Sequence, residues 1–359
     1  MRILSELAYA LENKNSLIEH SFSGSNSKKI SKIILLNNKQ NLIAEPQQFS
    51  EVTLSLEEVS VIHPNILITK NNDLINTNNG YNTIELIEHN VDNFPLRKLN
   101  NTIVVSRPKK TYFIDKCVYL SANGFASFLL GEAPRLNKYI DFIKKGFSIV
   151  LHGKCSHFHF EILNLLGYPK NKIICVSENE VINAKQMIHA TPTFFHNIIS
   201  YNAITFLRNN LLEHIKKEEK KFKDKVYLSR SNLGLKSDRV ITNEKKLEDL
   251  LRLNNFQIVY PEELSVIDQF NIFNNSDVLI SPFGATWSNS IFRKPNSKTL
   301  ILATKFSLEF ARILQFLNCD LFLINLPAVK YRNEKNFSKS NKFTLVETDF
   351  ELVKSFILT

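Results

Sequence analysis

The feature that most constrains the fold is the regular alternation of short apolar runs with helical patterns between residues 225 and 325. The runs at 226–229, 256–259, 277–281, 299–303 and 321–325 are too short for helices and read as buried strands. Between them, amphipathic stretches fit helices over 243–254, 265–275, 285–293 and 307–317. Thr242 or Asn243 can cap the first helix, with Leu247, Leu250 and Leu251 on its buried face. Ser265, followed three residues later by Asp268, is a capping-box pattern for the second. Five short strands alternating with helices predict a doubly wound, Rossmann-like α/β domain.

A similar rhythm begins earlier, at Cys117. Val118–Leu120 reads as a strand, and 125–145 as a helix interrupted near Pro134. Phe147–Leu151 is a buried strand, His159–Leu166 a helix closed by Gly167, and Ile173–Val176 another strand. This β-α-β order predicts a parallel sheet. The first 110 residues are harder to read. Ile33–Leu36, Ile66–Ile68 and Thr102–Val105 look like strands, while Asn71–Asp73 and Asn76–Gly80 look like turns. A helix over 203–222 leads into the second domain. The expected division is an N-terminal domain over 1–210, with 1–110 as its lead-in, and a C-terminal domain over 211–345. A final helix in 346–359 is expected to pack back on the first domain.

With 359 residues, two domains are expected at roughly 150 residues each. A 43% apolar fraction with 27 Phe is enough for a sizeable core. The net charge of +10 leaves three partners open: nucleic acid, an anionic membrane surface, or anionic small substrates. The basic residues are spread out apart from the Lys216–Lys223 run, which is mixed in sign and reads as a solvated helix end or linker. Cys117, Cys155, Cys175 and Cys319 form no CxxC pair, so they read as free thiols in a reducing compartment rather than a zinc site. Residues 1–20 lack a signal-peptide core, and no apolar run approaches the ~18 residues of a membrane span. A cytoplasmic protein is expected, able to rest on the inner face of the plasma membrane.

In a doubly wound sheet, ligands bind beyond the carboxyl ends of the strands. Ser229 and Arg230 end the first strand of the second domain, and Arg239 follows before a helix N-terminus. A guanidinium there can grip a phosphate through two bonds or sit in a surface salt bridge. Gly284, Ala285 and Thr286 follow the strand ending at Ser281; Gly284 permits close backbone approach, or simply makes a tight turn. Thr286, Ser288 and Asn289 add side-chain donors. Glu263 can accept ribose hydroxyls or remain an exposed loop carboxylate, and Gln269 reads as a backbone-binding side chain. Trp287 reads as core before base-stacking residue. His152, His157 and His159 cluster near a strand end without evident metal partners. No GxSxG, HExxH, P-loop or Asp-x-Asp pattern occurs.

These motifs resemble glycosyltransferase family 61, which includes bacterial capsule enzymes and eukaryotic O-linked N-acetylglucosaminyl- and xylosyltransferases. The resemblance covers about residues 117–303. It is carried by Tyr227-Leu228-Ser229-Arg230, Arg239, Asn243-Glu244, Phe256–Leu264, Ser265, Gln269, Phe273, Asp277, Gly284-Ala285, Asn289, Phe292 and Pro295. Upstream, Asn123–Arg135 resembles the family's helix ending in Leu-Pro-Arg, and Phe160–Pro169 its helix-Gly-hydrophobic-Pro element. The chain departs from the pattern at Ser127 and Phe283, where the family usually has His. The family's upstream carboxylate falls at or near Gly131, beside Glu132.

The resemblance implies a GT-B-like fold, two Rossmann-like domains facing a cleft. It implies an inverting sugar transfer without a metal or cofactor, from a nucleotide sugar, expected to be UDP-linked, to a glycan or lipid-linked glycan. Such a transfer needs a base for the acceptor hydroxyl and cationic groups for the leaving diphosphate. Glu132 is the expected base, with His152 second. Ser229, Arg230, Arg239, Asn243, Glu263, Gly284, Ala285, Thr286 and Asn289 are expected to hold the donor. The leading expectation is capsular or lipopolysaccharide synthesis without nucleic-acid binding; a non-catalytic nucleotide- or glycan-binding member is the alternative.

Overall fold

The computed structural model of the chain describes residues 3–5, 8, 12–23, 33–35, 40–42, 49–63, 66–76, 96–99, 102–105, 108–195, 198–217, 221–234, 240–303, 312–314, 316–326 and 343–358. The expected Asn76–Gly80 turn, most of the expected 307–317 helix and Arg239 lie outside these residues. The fold is mixed α/β. It divides into one unit of Met1–Ser25 with Gln47–Leu207 and another of Asn26–Pro46 with Arg208–Thr359.

The first unit is built on a mixed sheet. Its parallel part pairs Thr111–Ala122 with both Ser148–Gly153 and Val181–Ala190, and Ser148–Gly153 with Ile173–Val176. The expected β-α-β rhythm accounts for Thr111–Ala122, Ser148–Gly153 and Ile173–Val176, whereas Val181–Ala190 was not expected. The rest of the sheet is antiparallel around Phe49–His63, which pairs with Val181–Ala190 on one side and with Ile66–Ile68 and Leu17–Ser23 on the other. The sheet is therefore mixed where a parallel one was expected. Val52, Leu54 and Leu56 are buried at the period of a strand, but the buried positions change phase before Val59 and Val61, where Glu58 takes φ 48°. That change of phase breaks the alternation that would otherwise mark a 15-residue strand.

The stretch 125–144 is helical but irregular, as Pro134 requires. A π-helical turn, Phe128–Glu132, and a short 3₁₀ turn, Ala133–Arg135, precede the α-helix Leu136–Lys144. The helix His157–Leu165 is followed by Gly167 at φ 90°, a left-handed backbone that glycine adopts without a Cβ penalty.

The second unit holds a sheet in the order Gln257–Val259, Lys225–Leu228, Val278–Pro282, Lys298–Ala303, Asp320–Asn325, Ile33–Leu35, Gln40–Leu42. The first six are mutually parallel. Counted from Lys225 along the chain, the first five lie in the order second, first, third, fourth, fifth, one of the two common doubly wound arrangements. Tyr227, Ile280, Leu300, Leu302 and Ile324 share a core with Leu247 and Leu251 of the helix Glu244–Leu253.

Two expectations about chain segments are corrected here. The Ile33–Leu35 strand forms as expected but adds to the second unit's sheet beside Asp320–Asn325. The terminal helix Glu347–Leu358 places Phe350, Val353 and Phe356, spaced by three residues along one stripe, in the core of the second unit, to which it belongs. Among the described residues no helix is long and apolar enough to cross a membrane.

Candidate functional site

Strand order locates the candidate site. In the second unit the chain leaves Lys225–Leu228 toward Gln257–Val259 on one side and later returns through Val278–Pro282 on the other. The chain leaves these two neighbouring strands in opposite directions, and the loops at their carboxyl ends occupy the usual ligand position in such folds. One loop carries Ser229 and Arg230, the other Gly284, Ala285 and Thr286.

The first loop is fixed by two buried glutamates of the helix Glu244–Leu253, 2% and 0% exposed. One oxygen of Glu244 accepts hydrogen bonds from the Tyr227 hydroxyl (2.7 Å), the Arg230 backbone N–H (2.9 Å) and the Ser229 hydroxyl (3.2 Å). Glu248 accepts from the hydroxyls of Ser229 (2.8 Å) and Ser231 (2.7 Å). Arg252 donates to its other oxygen at 3.0 Å. Burial raises the Glu244 carboxyl above its ordinary range. Burial acts on Glu248 in the same direction, but hydrogen bonds from Ser231, Ser229 and Arg252 outweigh it and hold that carboxyl low. Burial pushes Tyr227 well above the usual phenol range.

The second loop meets the first at Gly284. A Cβ placed on Gly284 would lie 3.0 Å from Arg230 Nη1 and 3.9 Å from its Cζ. The guanidinium therefore lies against the Gly284 backbone. Gly284 has φ −175° and ψ 180°, an extended conformation open to any residue, so what a side chain would disturb here is the approach of Arg230. The eight-residue 3₁₀ helix Ala285–Phe292 starts immediately afterwards. The N–H groups of Ala285 and Thr286 precede its first internal bond, from Trp287 N–H to the Gly284 carbonyl at 3.1 Å. A fixed cation and the positive end of a helix thus converge, an arrangement that suits an anion such as a phosphate.

Other expected donor residues are spent on structure. Asn243 stands at the N-terminus of its helix without capping it; its amide instead bonds the Leu345 backbone through both its oxygen and its nitrogen, at 2.9 Å each. Asn289 is buried and donates to Gln269 at 3.2 Å, while Gln269 donates to the Pro261 carbonyl at 3.1 Å. Ser288 bonds the Ala285 carbonyl. Trp287 is a core residue, its indole N–H on the Pro282 carbonyl at 3.1 Å. Glu263 is an exposed carboxylate on the turn after Gln257–Val259 and accepts from Asn232 at 2.9 Å. The Ser265–Asp268 cap forms as expected, with the Asp268 N–H donating to Ser265 Oγ.

Glu132 and His152, the two candidate bases, lie in the first unit and are fully buried. Glu132 forms an ion pair with buried Arg135 and accepts the Ser121 backbone N–H at 2.9 Å. Arg135 also donates to His189 Nδ1 at 2.9 Å. His152 Nε2 lies 3.1 Å from the carbonyls of both Ser177 and Glu180, so this nitrogen carries the proton and Nδ1 faces the Tyr119 hydroxyl at 3.4 Å. Both side chains are engaged in holding the sheet and the π-helical turn together, which weighs against either as an exposed base in this conformation. His159 is likewise internal: it caps its own helix through the Ser156 N–H, reaches the Asn123 carbonyl at 2.8 Å, and burial holds it below the usual imidazole range. Among the described residues no group of three or more His, Cys, Asp or Glu side chains is placed to hold a metal ion.

Sequence reasoning did not identify Glu244 and Glu248 as the support of the Arg230 turn. Their i, i+4 spacing puts both on one helix face, but their burial depends on where the preceding strand ends. Residues 155–300 match the family described as Glycosyltransferase 61. The match spans the Ser229–Ser231 turn and the Gly284 loop and begins after Glu132 and His152. No curated protein matches the chain.

Proposed function

We propose that this glycosyltransferase, which carries a family 61 domain over residues 155–300, transfers a sugar from a nucleotide-sugar donor to a glycan acceptor with inversion. Its two units would act as the two halves of a GT-B enzyme, the second binding the donor. The observation that carries this reading is the convergence of the Arg230 guanidinium on Gly284 at the start of the Ala285–Phe292 helix, at the switch point of a doubly wound sheet.

In this reading Arg230 and the N–H groups of Ala285 and Thr286 hold the donor diphosphate, with Thr286 adding a hydroxyl. The same groups neutralise the charge that grows on the leaving diphosphate as the sugar acquires oxocarbenium character. Ser229 positions Arg230 through its bonds to Glu244 and Glu248. Glu263 lies on the neighbouring loop, where a carboxylate can accept ribose hydroxyls. Arg239 is proposed as a second cation for the diphosphate. Glu132 and His152 supply the frame of the first unit, and the acceptor proton passes to a group that faces the acceptor. The net charge of +10 suits work beside anionic lipid and lipid-linked glycans in surface-polysaccharide synthesis.

Thermal unfolding in the presence of UDP, GDP or CMP tests the donor site, with Arg230→Ala as control. A bound nucleotide at ~100 times its Kd stabilises by about 2.7 kcal/mol. Stabilisation by one nucleotide that is lost in Arg230→Ala is expected. A shift of equal size in wild type and variant would refute the Arg230 role, and no shift with any nucleotide would refute the donor site. A non-catalytic member is the second reading, favoured by Ser127 and Phe283 at positions where related enzymes usually carry histidine. Nucleotide binding without transfer or hydrolysis of any nucleotide sugar would select it.

A further inference from the structure

We infer that Glu244 is a positioning residue that carries a proton when a diphosphate binds beside Arg230, and that its ionisation weakens that binding. The inference rests on the reading of Arg230 as the diphosphate ligand.

The argument starts from two carboxylates sharing one hydroxyl. Ser229 Oγ lies 3.2 Å from Glu244 Oε1 and 2.8 Å from Glu248 Oε1, with both glutamates almost fully buried. A second negative charge beside Glu248 is costly where both carboxyls are shielded from water, which favours a proton on one of them. The surroundings decide which. Arg252 donates to Glu248 at 3.0 Å, and Lys245 lies 4.0 Å from the same oxygen. Among the described residues no Lys or Arg side chain pairs with Glu244. Among the described residues, Tyr227, Arg230 and Glu248 are the titratable and charged residues facing it, and Arg230 meets it through the backbone N–H.

The two oxygens of Glu244 also differ. Oε1 accepts from the Tyr227 hydroxyl and the Arg230 N–H and shares the single Ser229 hydroxyl hydrogen with Glu248, whereas Oε2 is buried without a hydrogen-bond partner. An ionised carboxylate with one bare buried oxygen is costly, while a carboxylic acid with its proton on that oxygen is not. Burial shifts the Glu244 carboxyl in the matching direction.

The consequence concerns Arg230. A neutral Glu244 still accepts the Arg230 N–H and so holds the turn without adding a negative charge beside the incoming anion. An ionised Glu244 places a negative charge beneath the residue that is to bind a phosphate. Diphosphate affinity should therefore fall as pH rises through the Glu244 titration, and Glu244→Gln, which imitates the protonated acid, should not show that loss.

The experiment measures the Kd of UDP by calorimetry for wild type, Glu244→Gln, Tyr227→Phe and Arg230→Ala from about pH 5 to about pH 9, upward from the ordinary carboxyl range. Comparing proteins at the same pH cancels the ionisation of UDP itself. The expected ratio of wild-type to Glu244→Gln Kd is near unity at the acid end and rises roughly fivefold to tenfold at the alkaline end, the order for one charge several ångströms away at an interfacial dielectric. A ratio that does not change with pH overturns the inference. Tyr227→Phe keeps the carboxyl but removes a hydrogen bond to its ionised form, so it should move the wild-type transition to higher pH. If Glu244→Gln does not fold, an unmoved transition in Tyr227→Phe overturns the inference instead. If Arg230→Ala binds UDP as wild type does, the phosphate reading falls and takes this inference with it. If Arg230→Ala loses binding while the ratio stays flat, the Glu244 inference alone falls.

Discussion

Gly284→Ala separates function from folding. The backbone there is extended, so alanine fits it without strain. Replacing glycine at a compatible site reduces the freedom of the unfolded chain and stabilises by about 0.4–1 kcal/mol. The new methyl carbon, however, would lie 3.0 Å from Arg230 Nη1, inside ordinary contact distance. The guanidinium is the far end of a flexible side chain and can retreat by a few tenths of an ångström at little cost to folding. A bound phosphate feels that retreat, because hydrogen bonds to charged groups contribute about 1.5–3 kcal/mol and depend steeply on geometry. With the charge retained but displaced, the lower end applies, corresponding to roughly tenfold weaker UDP binding. Calorimetric titration with UDP and thermal unfolding on the same preparations give both quantities. Unchanged UDP affinity would refute the reasoning, because it would mean that Arg230 does not hold the anion against Gly284, whereas a loss of stability would mean that the guanidinium cannot retreat from the new methyl group.

Two other substitutions probe the supports of this unit. Arg293 is fully buried, and its guanidinium donates to the carbonyls of Ser276 (2.7 Å), Lys298 (2.9 Å), Phe273 (3.2 Å) and Asp277 (3.3 Å). Arg293→Met strips these carbonyls of a shared donor and is expected to destabilise by about 3 kcal/mol or more, read from denaturant midpoints; a change near zero would mean that water replaces the guanidinium. Glu244→Gln should stabilise the fold increasingly as pH rises. The folded-state carboxyl titrates above its unfolded value of 4.5, so ionisation disfavours the fold; the penalty is absent below pH 4.5 and accumulates as pH rises through the folded value. The gap between variant and wild-type unfolding midpoints should therefore widen with pH, and a gap that narrows would reverse the sign of this argument.

The second unit was legible because its strands are buried on both faces and its helices are amphipathic, so the two periods change cleanly along the chain. Each of the five strands expected after residue 225 forms within one residue of its expected bounds. The first unit was legible only where it shares that pattern. Its Phe49–His63 strand changes the phase of its buried positions at Glu57–Glu58, and no period-two reading survives such a change. Histidines presented the opposite difficulty. His152 and His159 stand near strand ends, where ligands bind in α/β folds, and nothing in their spacing shows that their ring nitrogens are occupied by backbone groups from distant loops. A histidine next to a strand end is informative only once the carbonyls around it are located.

The same distinction explains how the candidate site was partly visible. Arg230 and Gly284 were readable singly, each as the last polar position after an apolar run, but their contact depends on strand order. Lys225–Leu228 and Val278–Pro282 are neighbours only because the intervening strand, Gln257–Val259, pairs on the far side. The Ser229 N–H still pairs with the Val259 carbonyl at 2.8 Å, but beyond it the turn's N–H groups end on side chains. The Arg230 N–H is taken by Glu244 and the Ser231 N–H by Ser229 Oγ, which in turn rests on Glu248. A turn whose backbone donors end on carboxylates keeps its shape but brings negative charge under a cationic site. The chain limits that charge by pairing Glu248 with Arg252 and leaving Glu244 where a proton is favoured over an ion. Support and anion binding are thereby compatible at the same turn, and the protonation of one buried glutamate is what makes them so.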